Sequence, residues 1–380
     1  MLNFNEKIVF KKFLIENSYF FLLTSLSMAF IVWVIQAVNN LDIVAEDGHS
    51  FLIYFYYTLL IYPKIFGKVL PLIFFASLFY TLNKYENNNE LKIFWINGIN
   101  KIKFYNVILK YTFLFFILQL FIVSFLGPYL QNKARGYIQN STLDFFPALF
   151  QEKKFIDTVE GLTIFIGGKN DQNEFTDIYL KDDTSINPKI IFAKKGILLL
   201  MGDNKVLRLL DGKFINITRN SGNTSFNFEK TDFNLSKFLT KTTTHKKLQE
   251  TDIVSLLMCL NYTLVKKEIY KNNDINCDDE SVREISSEVY SRTFKPFYLF
   301  ILSSIAIFLL ITNYENKNFK TIKLLVFLMG IFLIIISEIA VNYSGKSNLN
   351  MLFSILLPLI VFLILYTIFY KKVNYGNIKI

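Results

Sequence analysis

Six long apolar stretches constrain this chain before any other feature does. A bilayer core of ~30 Å is crossed by about 20 helical residues rising 1.5 Å each. The sequence offers such runs near residues 13–38, 51–82, 105–126, 296–311, 321–341 and 351–370. Composition agrees: 52% of the 380 residues are hydrophobic and only 19% are charged, which excludes an ordinary water-soluble domain. The second run is longer than a bilayer needs and is interrupted by Pro63, Lys64, Gly67, Lys68 and Pro71, so its first part is expected at or above the membrane surface. The third run is expected to stop at Gly127-Pro128. No small-residue cleavage site follows the first run, which reads as a retained helix rather than a signal peptide.

The net charge of +10 does not point to nucleic acid, because the lysines are scattered between apolar runs instead of clustered on one polar domain. Their placement reports orientation. Lys7, Lys11 and Lys12 precede the first run; Lys84, Lys92, Lys101 and Lys103 follow the second; Lys317, Lys320 and Lys323 follow the fourth; Lys371, Lys372 and Lys379 close the chain. Segment 39–50 carries Asp42, Glu46 and Asp47 with no Lys or Arg, and the turn after the fifth run has Lys346 alone. Short loops rich in Lys and Arg stay in the cytoplasm, so both termini are expected there.

That orientation puts the polar insertion, residues 131–295, outside the cytoplasm. Its centre reads as β: Gly161-Leu-Thr-Ile-Phe-Ile-Gly, Asp177-Ile-Tyr-Leu, Lys189-Ile-Ile-Phe-Ala and Gly196-Ile-Leu-Leu-Leu-Met are short strand-like runs, with turn signals at Gly202-Asp203-Asn204 and Asp211-Gly212. The expected order is transmembrane helices 1–3 over 1–130, a periplasmic β domain over 131–250 that is a small sandwich or jelly-roll-like, a helical connection over 251–295 with helices near 252–271 and 279–293, and transmembrane helices 4–6 over 296–380. Cys259 and Cys277 have no metal-ligand spacing; they pair if their segment faces an oxidising compartment and otherwise remain two free thiols.

The loop between the second and third runs is the most informative short segment. Asn89 suits an N-cap, Glu90 suits the positive end of a helix dipole, and Gly98 suits a left-handed stop, which predicts a short cytoplasmic helix over about 89–98. Leu91, Phe94 and Trp95 fall at i, i+3, i+4 and make an apolar face with no span of its own to cover it. Such a face lies on lipid headgroups or inserts into a groove of a soluble partner.

The run Tyr62-Pro63, Leu70-Pro71-Leu72, Leu82-Asn83-Lys84, Asn89-Glu90-Leu91 and Asn97-Gly98-Ile99 resembles the second-span and coupling-helix signature of the LptF/LptG lipopolysaccharide export permeases. The resemblance continues through Gly161-Leu-Thr-Ile-Phe-Ile, Asp177-Ile-Tyr-Leu and Ser291-Arg292 to Pro296, so it covers nearly the whole chain. Gln36, Leu41-Asp42-Ile43-Val44 and Thr81-Leu-Asn-Lys84 look more like LptF than its paralogue. The resemblance implies a permease subunit, not itself an enzyme and without a cofactor. Its implied partners are a paralogous LptG-like permease, a cytoplasmic LptB-like ATPase dimer, periplasmic LptC/LptA-like jelly-roll proteins and lipopolysaccharide itself. It maps the family's coupling-helix glutamate and glycine onto Glu90 and Gly98, and with the apolar face of Leu91, Phe94 and Trp95 these are the expected ATPase-coupling residues. Where relatives have Arg and small residues before that glycine, this chain has Phe94, Trp95, Ile96 and Asn97, which predicts a more apolar docking surface.

The family's basic residue near the outer end of span one corresponds to Asn40 here. Lys64, roughly 27 Å from the inner edge counting back from Leu82, and Lys68, one helical turn away, are candidates to replace it at the lipid headgroup, as are Arg292 and Lys295; the alternative is that they snorkel and merely anchor their helices. Glu338 lies within the fifth run, either as a proton-relay group, the mark of a proton-coupled secondary transporter, or near enough to the outer surface to be wetted. Ser344-Gly345-Lys346-Ser347 ends like a phosphate-binding loop, but Ala340 stands where that motif needs glycine and no strand precedes it. No catalytic or metal-ligating constellation is legible. The remaining alternative is a membrane scaffold or sensor whose β-domain binds a ligand.

Overall fold

Backbone amides find no water inside hydrocarbon, so each apolar run must satisfy its own hydrogen bonds as a helix. A computed structural model describes residues 4–41, 44, 50–149, 152–159, 161–170, 174–184, 188–201, 204–217, 224–235, 247–262, 271–272, 275–277, 279–311 and 319–376. Six of the described helical stretches are long and apolar enough to cross a membrane: Glu6–Asn39, Phe51–Asn87, Lys101–Ile138, Ser281–Leu310, Phe319–Ser344 and Leu349–Asn374. The chain divides into two compact units, one of Met1–Val34, Ile61–Gln131 and Lys247–Ile380, the other of Ile35–Leu60 and Asn132–Lys246.

The helices run in the order α1 (Phe4–Asn39), α2 (Phe51–Asn87), α3 (Glu90–Ile96), α4 (Lys101–Phe121) and α5 (Gly127–Leu149). After the strands come α6 (Ile253–Leu260), α7 (Asp279–Thr293), α8 (Tyr298–Ile307), α9 (Phe319–Ser344) and α10 (Asn348–Gly376). Pro63 and Pro71 lie inside α2 without ending it. The third span does not stop at Gly127-Pro128. A π turn, Ile122–Leu126, carries α4 into α5, with the Gly127 N–H donating to the Ile122 carbonyl. The wider turn accommodates Pro128, whose missing N–H falls in the first turn of the new segment.

Aromatic and branched side chains fill the first unit. Leu70, Phe74, Phe75, Leu78 and Leu82 of α2 are fully buried against Phe104, Ile108, Leu299, Leu302 and Ala306. Gly330 of α9 meets Phe75 of α2 so closely that a Cβ there would lie within 2.0–2.7 Å of three ring atoms. By contrast α1, α9 and α10 keep many large apolar side chains exposed, among them Leu22, Leu26, Phe332 and Leu363. Such surfaces are covered by lipid or by other transmembrane chains.

In the second unit six antiparallel strands pair consecutively, β1 (Phe155–Val159), β2 (Leu162–Lys169), β3 (Glu174–Asp182), β4 (Lys189–Met201), β5 (Asn204–Asn216) and β6 (Thr224–Asn234). Among the described strands the order is therefore a meander rather than the Greek keys of a jelly roll. Two sequence expectations change. Residues 189–193 and 196–201 form one strand, and Asp211-Gly212 lies inside β5 rather than at a turn. The other expected turn, Gly202-Asp203, falls outside the described residues.

The cause is a crease that crosses the sheet. Asp177 and Asp211 adopt φ of 52° and 50°, and the row Gly167, Asp177, Lys194, Asp211 is skipped by the ladders between β2 and β5, with the same register kept on either side. A left-handed residue breaks the two-residue alternation of a strand. Accordingly Phe175 and Ile178 are both buried with two exposed residues between them, and Ala193 and Gly196 repeat the pattern across Lys194-Lys195. Both leaves of the creased sheet share one core, with Ile164, Ile178 and Ile191 on one side of the row and Phe175 and Leu209 on the other.

Between the sheet and α7, Asp252 caps α6 by accepting from the Ser255 N–H at 2.9 Å. The helix expected to reach residue 271 ends earlier: Lys271–Asn272 is a short strand paired with Ile275–Asn276. Cys259 and Cys277 are joined by a disulfide within a small core that includes Leu256, Ile285 and Val289.

Candidate functional site: the loop helix and the cationic residues

The short helix α3 is held by its neighbours rather than by its caps. Asn89 has φ 60° and its side chain caps nothing, contrary to the sequence expectation. It acts instead as the left-handed end of α2, donating its N–H to Glu86 at 3.0 Å, since Asn tolerates this conformation better than other non-glycine residues. Gly98 does adopt the expected left-handed stop, φ 80°, and returns its N–H to the Trp95 carbonyl at 3.0 Å.

The face carrying Leu91, Phe94 and Trp95 is not uncovered. Leu91 is 0% and Phe94 8% exposed. Phe94 packs on Tyr85 and Phe104, with ring centroids 5.9 and 6.4 Å apart, and Trp95 meets Phe104 edge-on at 5.9 Å. Lys101 places its ammonium 5.3 Å from the Trp95 ring and donates to the Leu310 carbonyl at 2.9 Å. The four rings Phe94, Trp95, Tyr85 and Phe104 therefore tie α3 to α2 and α4, and Lys101 carries the contact on to Leu310 at the end of the fourth span. What faces outward is Ile93, 53% exposed, and Ile96, 84% exposed. A seven-residue helix with apolar residues on both faces has one face for the bundle; the bulkier aromatic face wins because it buries more area. Ile93 and Ile96 are themselves spaced i, i+3, so apolar spacing alone does not tell the two faces apart.

Glu90 sits at the rim of this helix, with Lys12 at 3.4 Å. Glu16 accepts from Lys84 at 3.1 Å, and Glu6 from Lys103 at 2.9 Å. These partly exposed pairs each contribute about 0–1 kcal/mol, so they orient the loop more than they stabilise it.

The candidate headgroup cations divide by environment. Arg292, 1% exposed, spends its fork inside the chain: Nε donates to Glu288 Oε1 at 2.8 Å, Nη1 to the Thr251 carbonyl at 2.7 Å and Nη2 to the Leu248 carbonyl at 3.0 Å. Ser124 donates to the Arg292 carbonyl at 3.2 Å. Lys64 donates to Gln131 Oε1 at 3.1 Å and also to Gln249. Lys295 and Glu338 form an ion pair at 2.5 Å, with the Glu338 side chain 58% exposed. Lys68 is exposed and has no hydrogen-bond partner among the described residues. The sequence thus grouped four cations that the fold separates into a buried clamp (Arg292), a tether (Lys64), a paired residue (Lys295) and an open one (Lys68). Asn40 ends α1 with its N–H bonded to the Gln36 and Ala37 carbonyls. No group of three or more His, Cys, Asp and Glu side chains able to hold a metal occurs among the described residues.

The family model described as lipopolysaccharide export system permease LptF/LptG matches residues 12–372. A curated relative, named "Uncharacterized protein RP871", from Rickettsia prowazekii (strain Madrid E), is 24% identical over 378 residues, covering 96% of this chain and 100% of its own.

Proposed function

The chain belongs to the lipopolysaccharide export permease family LptF/LptG, and from that premise we propose that it is the membrane half of an ATP-driven exporter whose α3 is the contact with a cytoplasmic ATPase. The observation that carries this reading is the two-faced α3: Ile93 and Ile96 project outward while Leu91 and Phe94 are locked into the bundle. A push on the outer face is transmitted through Phe94 and Trp95 to Phe104 of the third span and Tyr85 of the second. The docking surface is accordingly Ile93, Ile96 and the exposed Asn97-Gly98 end, with Glu90 at its edge, rather than the aromatic face.

In this reading the chain pairs with a paralogous permease, a role in which the exposed apolar faces of α1, α9 and α10 find a partner. Lipopolysaccharide enters from the outer leaflet between the two chains, and ATP-driven closure of an LptB-like dimer expels it upward. The β-sheet lies in the periplasm, with β1 and β6 at its edges available for strand addition to LptC/LptA-like neighbours. Two independent features support that orientation. Lysines flank the loops assigned to the cytoplasm, and the Cys259–Cys277 disulfide lies in the segment assigned to the oxidising side.

Copurification tests the reading. The double substitution Ile93→Asp and Ile96→Asp is expected to abolish recovery of an ATPase with the full chain and to stop ATP-dependent lipid release, with the chain still inserted. Lipid transfer by the isolated chain with no ATPase present would refute it.

A further inference from the structure

A groove lies between α1 and α4, and its chemistry differs from that of the rest of the bundle. It encloses about 820 Å³ and is lined by Lys7, Lys11 and Lys110 together with apolar side chains and no carboxylate. On α1 the lining residues 7, 11, 15, 19 and 22 follow one helical face, and on α4 residues 107, 110 and 114 do the same. Ile15, Tyr19, Leu22 and Leu114 are each more than half exposed, so the apolar wall is open to its surroundings.

The lysines are unlike their neighbours. Lys12, Lys84 and Lys103 each meet a glutamate, whereas Lys7, Lys11 and Lys110 have no ion-pair partner among the described residues. They also line the same end of the groove. Ser18 meets Tyr111 at 2.9 Å and Phe21 meets Phe115, so the two helices run parallel with Lys110 one to two turns beyond Lys11 along the pair. All three lysines therefore precede Leu22 and Leu114, which continue the groove as an apolar wall.

A basic foot on an apolar stripe, facing out of the bundle, matches one chemical class. We propose that this groove binds an anionic phospholipid of the cytoplasmic leaflet, its phosphate among Lys7, Lys11 and Lys110 and its acyl chains along Ile15, Tyr19, Leu22 and Leu114. Charge complementarity selects the occupant: a neutral helix from another chain would leave three ammonium groups without a counter-charge. The assignment to the cytoplasmic leaflet rests on the orientation proposed above; the binding itself does not.

Native mass spectrometry of the delipidated full chain in mild detergent, titrated with phosphatidylglycerol and with phosphatidylcholine, tests the site. A lysine near an anionic lipid contributes on the order of fivefold in affinity. The triple substitution Lys7→Gln, Lys11→Gln and Lys110→Gln is therefore expected to weaken phosphatidylglycerol binding by about 10- to 100-fold. The paired-lysine control, Lys12→Gln with Lys103→Gln, should leave it unchanged. Equal binding of the two lipids by the native chain, retention of phosphatidylglycerol by the triple variant, or an equal loss in the control would each overturn the proposal. A photo-crosslinker at Leu22 in intact membranes gives a second readout that does not depend on a lysine variant folding: lipid adducts support the site, and a crosslink to a protein chain overturns it.

Discussion

Replacing Arg292 with Gln separates a structural clamp from a lipid-headgroup ligand. The guanidinium is 1% exposed and holds three acceptors at 2.7–3.0 Å, two of them backbone carbonyls in the segment that returns the chain to the membrane. A glutamine amide reaches at most one of these. Each buried carbonyl left unpaired costs about 1–3 kcal/mol, and Glu288, partly exposed, adds less. The sum is about 3–5 kcal/mol, the range found when one partner of a buried pair is removed. Arg292→Lys keeps the charge but not the planar fork, and should lose about half of that. The assay is thermal unfolding of the full chain in detergent, read beside trypsin cleavage after Lys247. Arg292→Gln should melt about 5 °C lower and be cut faster at that site, with Arg292→Lys between. A Gln variant that melts with the native chain and resists trypsin equally would refute the clamp and restore the headgroup role.

Three further outcomes follow from the packing. Gly330→Ala forces a methyl into the Phe75 ring and should cost about 1–3 kcal/mol in the same melting assay, with Phe75→Leu restoring part of the loss in the double variant. Non-reducing peptide mapping should recover Cys259 and Cys277 in one linked peptide, and Cys277→Ser should destabilise the chain by about 2–4 kcal/mol; recovery of both as alkylated thiols from untreated membranes would contradict the periplasmic assignment of that segment. The Arg208 guanidinium beside Asp232 holds its carboxyl below the usual carboxylate range. A depressed carboxylate contributes stability that is fully present above its unfolded pKa and is lost as pH falls through the folded value. Amide protection in β5 and β6, corrected for the slower intrinsic exchange at low pH, should thus fall on acidification, and Arg208→Gln should remove that dependence.

The membrane spans were legible because their signal is length and composition, which no tertiary contact can reverse. The loop helix was legible for a related reason: Gly98 must stop it and two spans must bracket it. Which of its faces pointed outward was not, since Leu91-Phe94-Trp95 and Ile93-Ile96 are both apolar and only the positions of Tyr85 and Phe104 choose between them. Asp211-Gly212 misled because the same dipeptide suits a turn and a left-handed crease, and only its alignment with Asp177 across the sheet distinguishes them. The cations were read by depth alone. Depth is local to a helix, whereas the two carbonyls that hold the Arg292 fork come from residues more than 40 positions away.

By itself the sequence determined six spans, their order around a β-rich insertion, the expected orientation and, through its resemblance, the permease family. These follow from how much apolar surface each segment carries and where the lysines stop. Only the tertiary structure decided that the insertion's sheet is a creased meander, that the aromatic face of α3 is buried and its isoleucines exposed, and that Arg292 serves the fold. Those outcomes depend on contacts between distant residues, whose free energies are settled by what each side chain meets rather than by what it is.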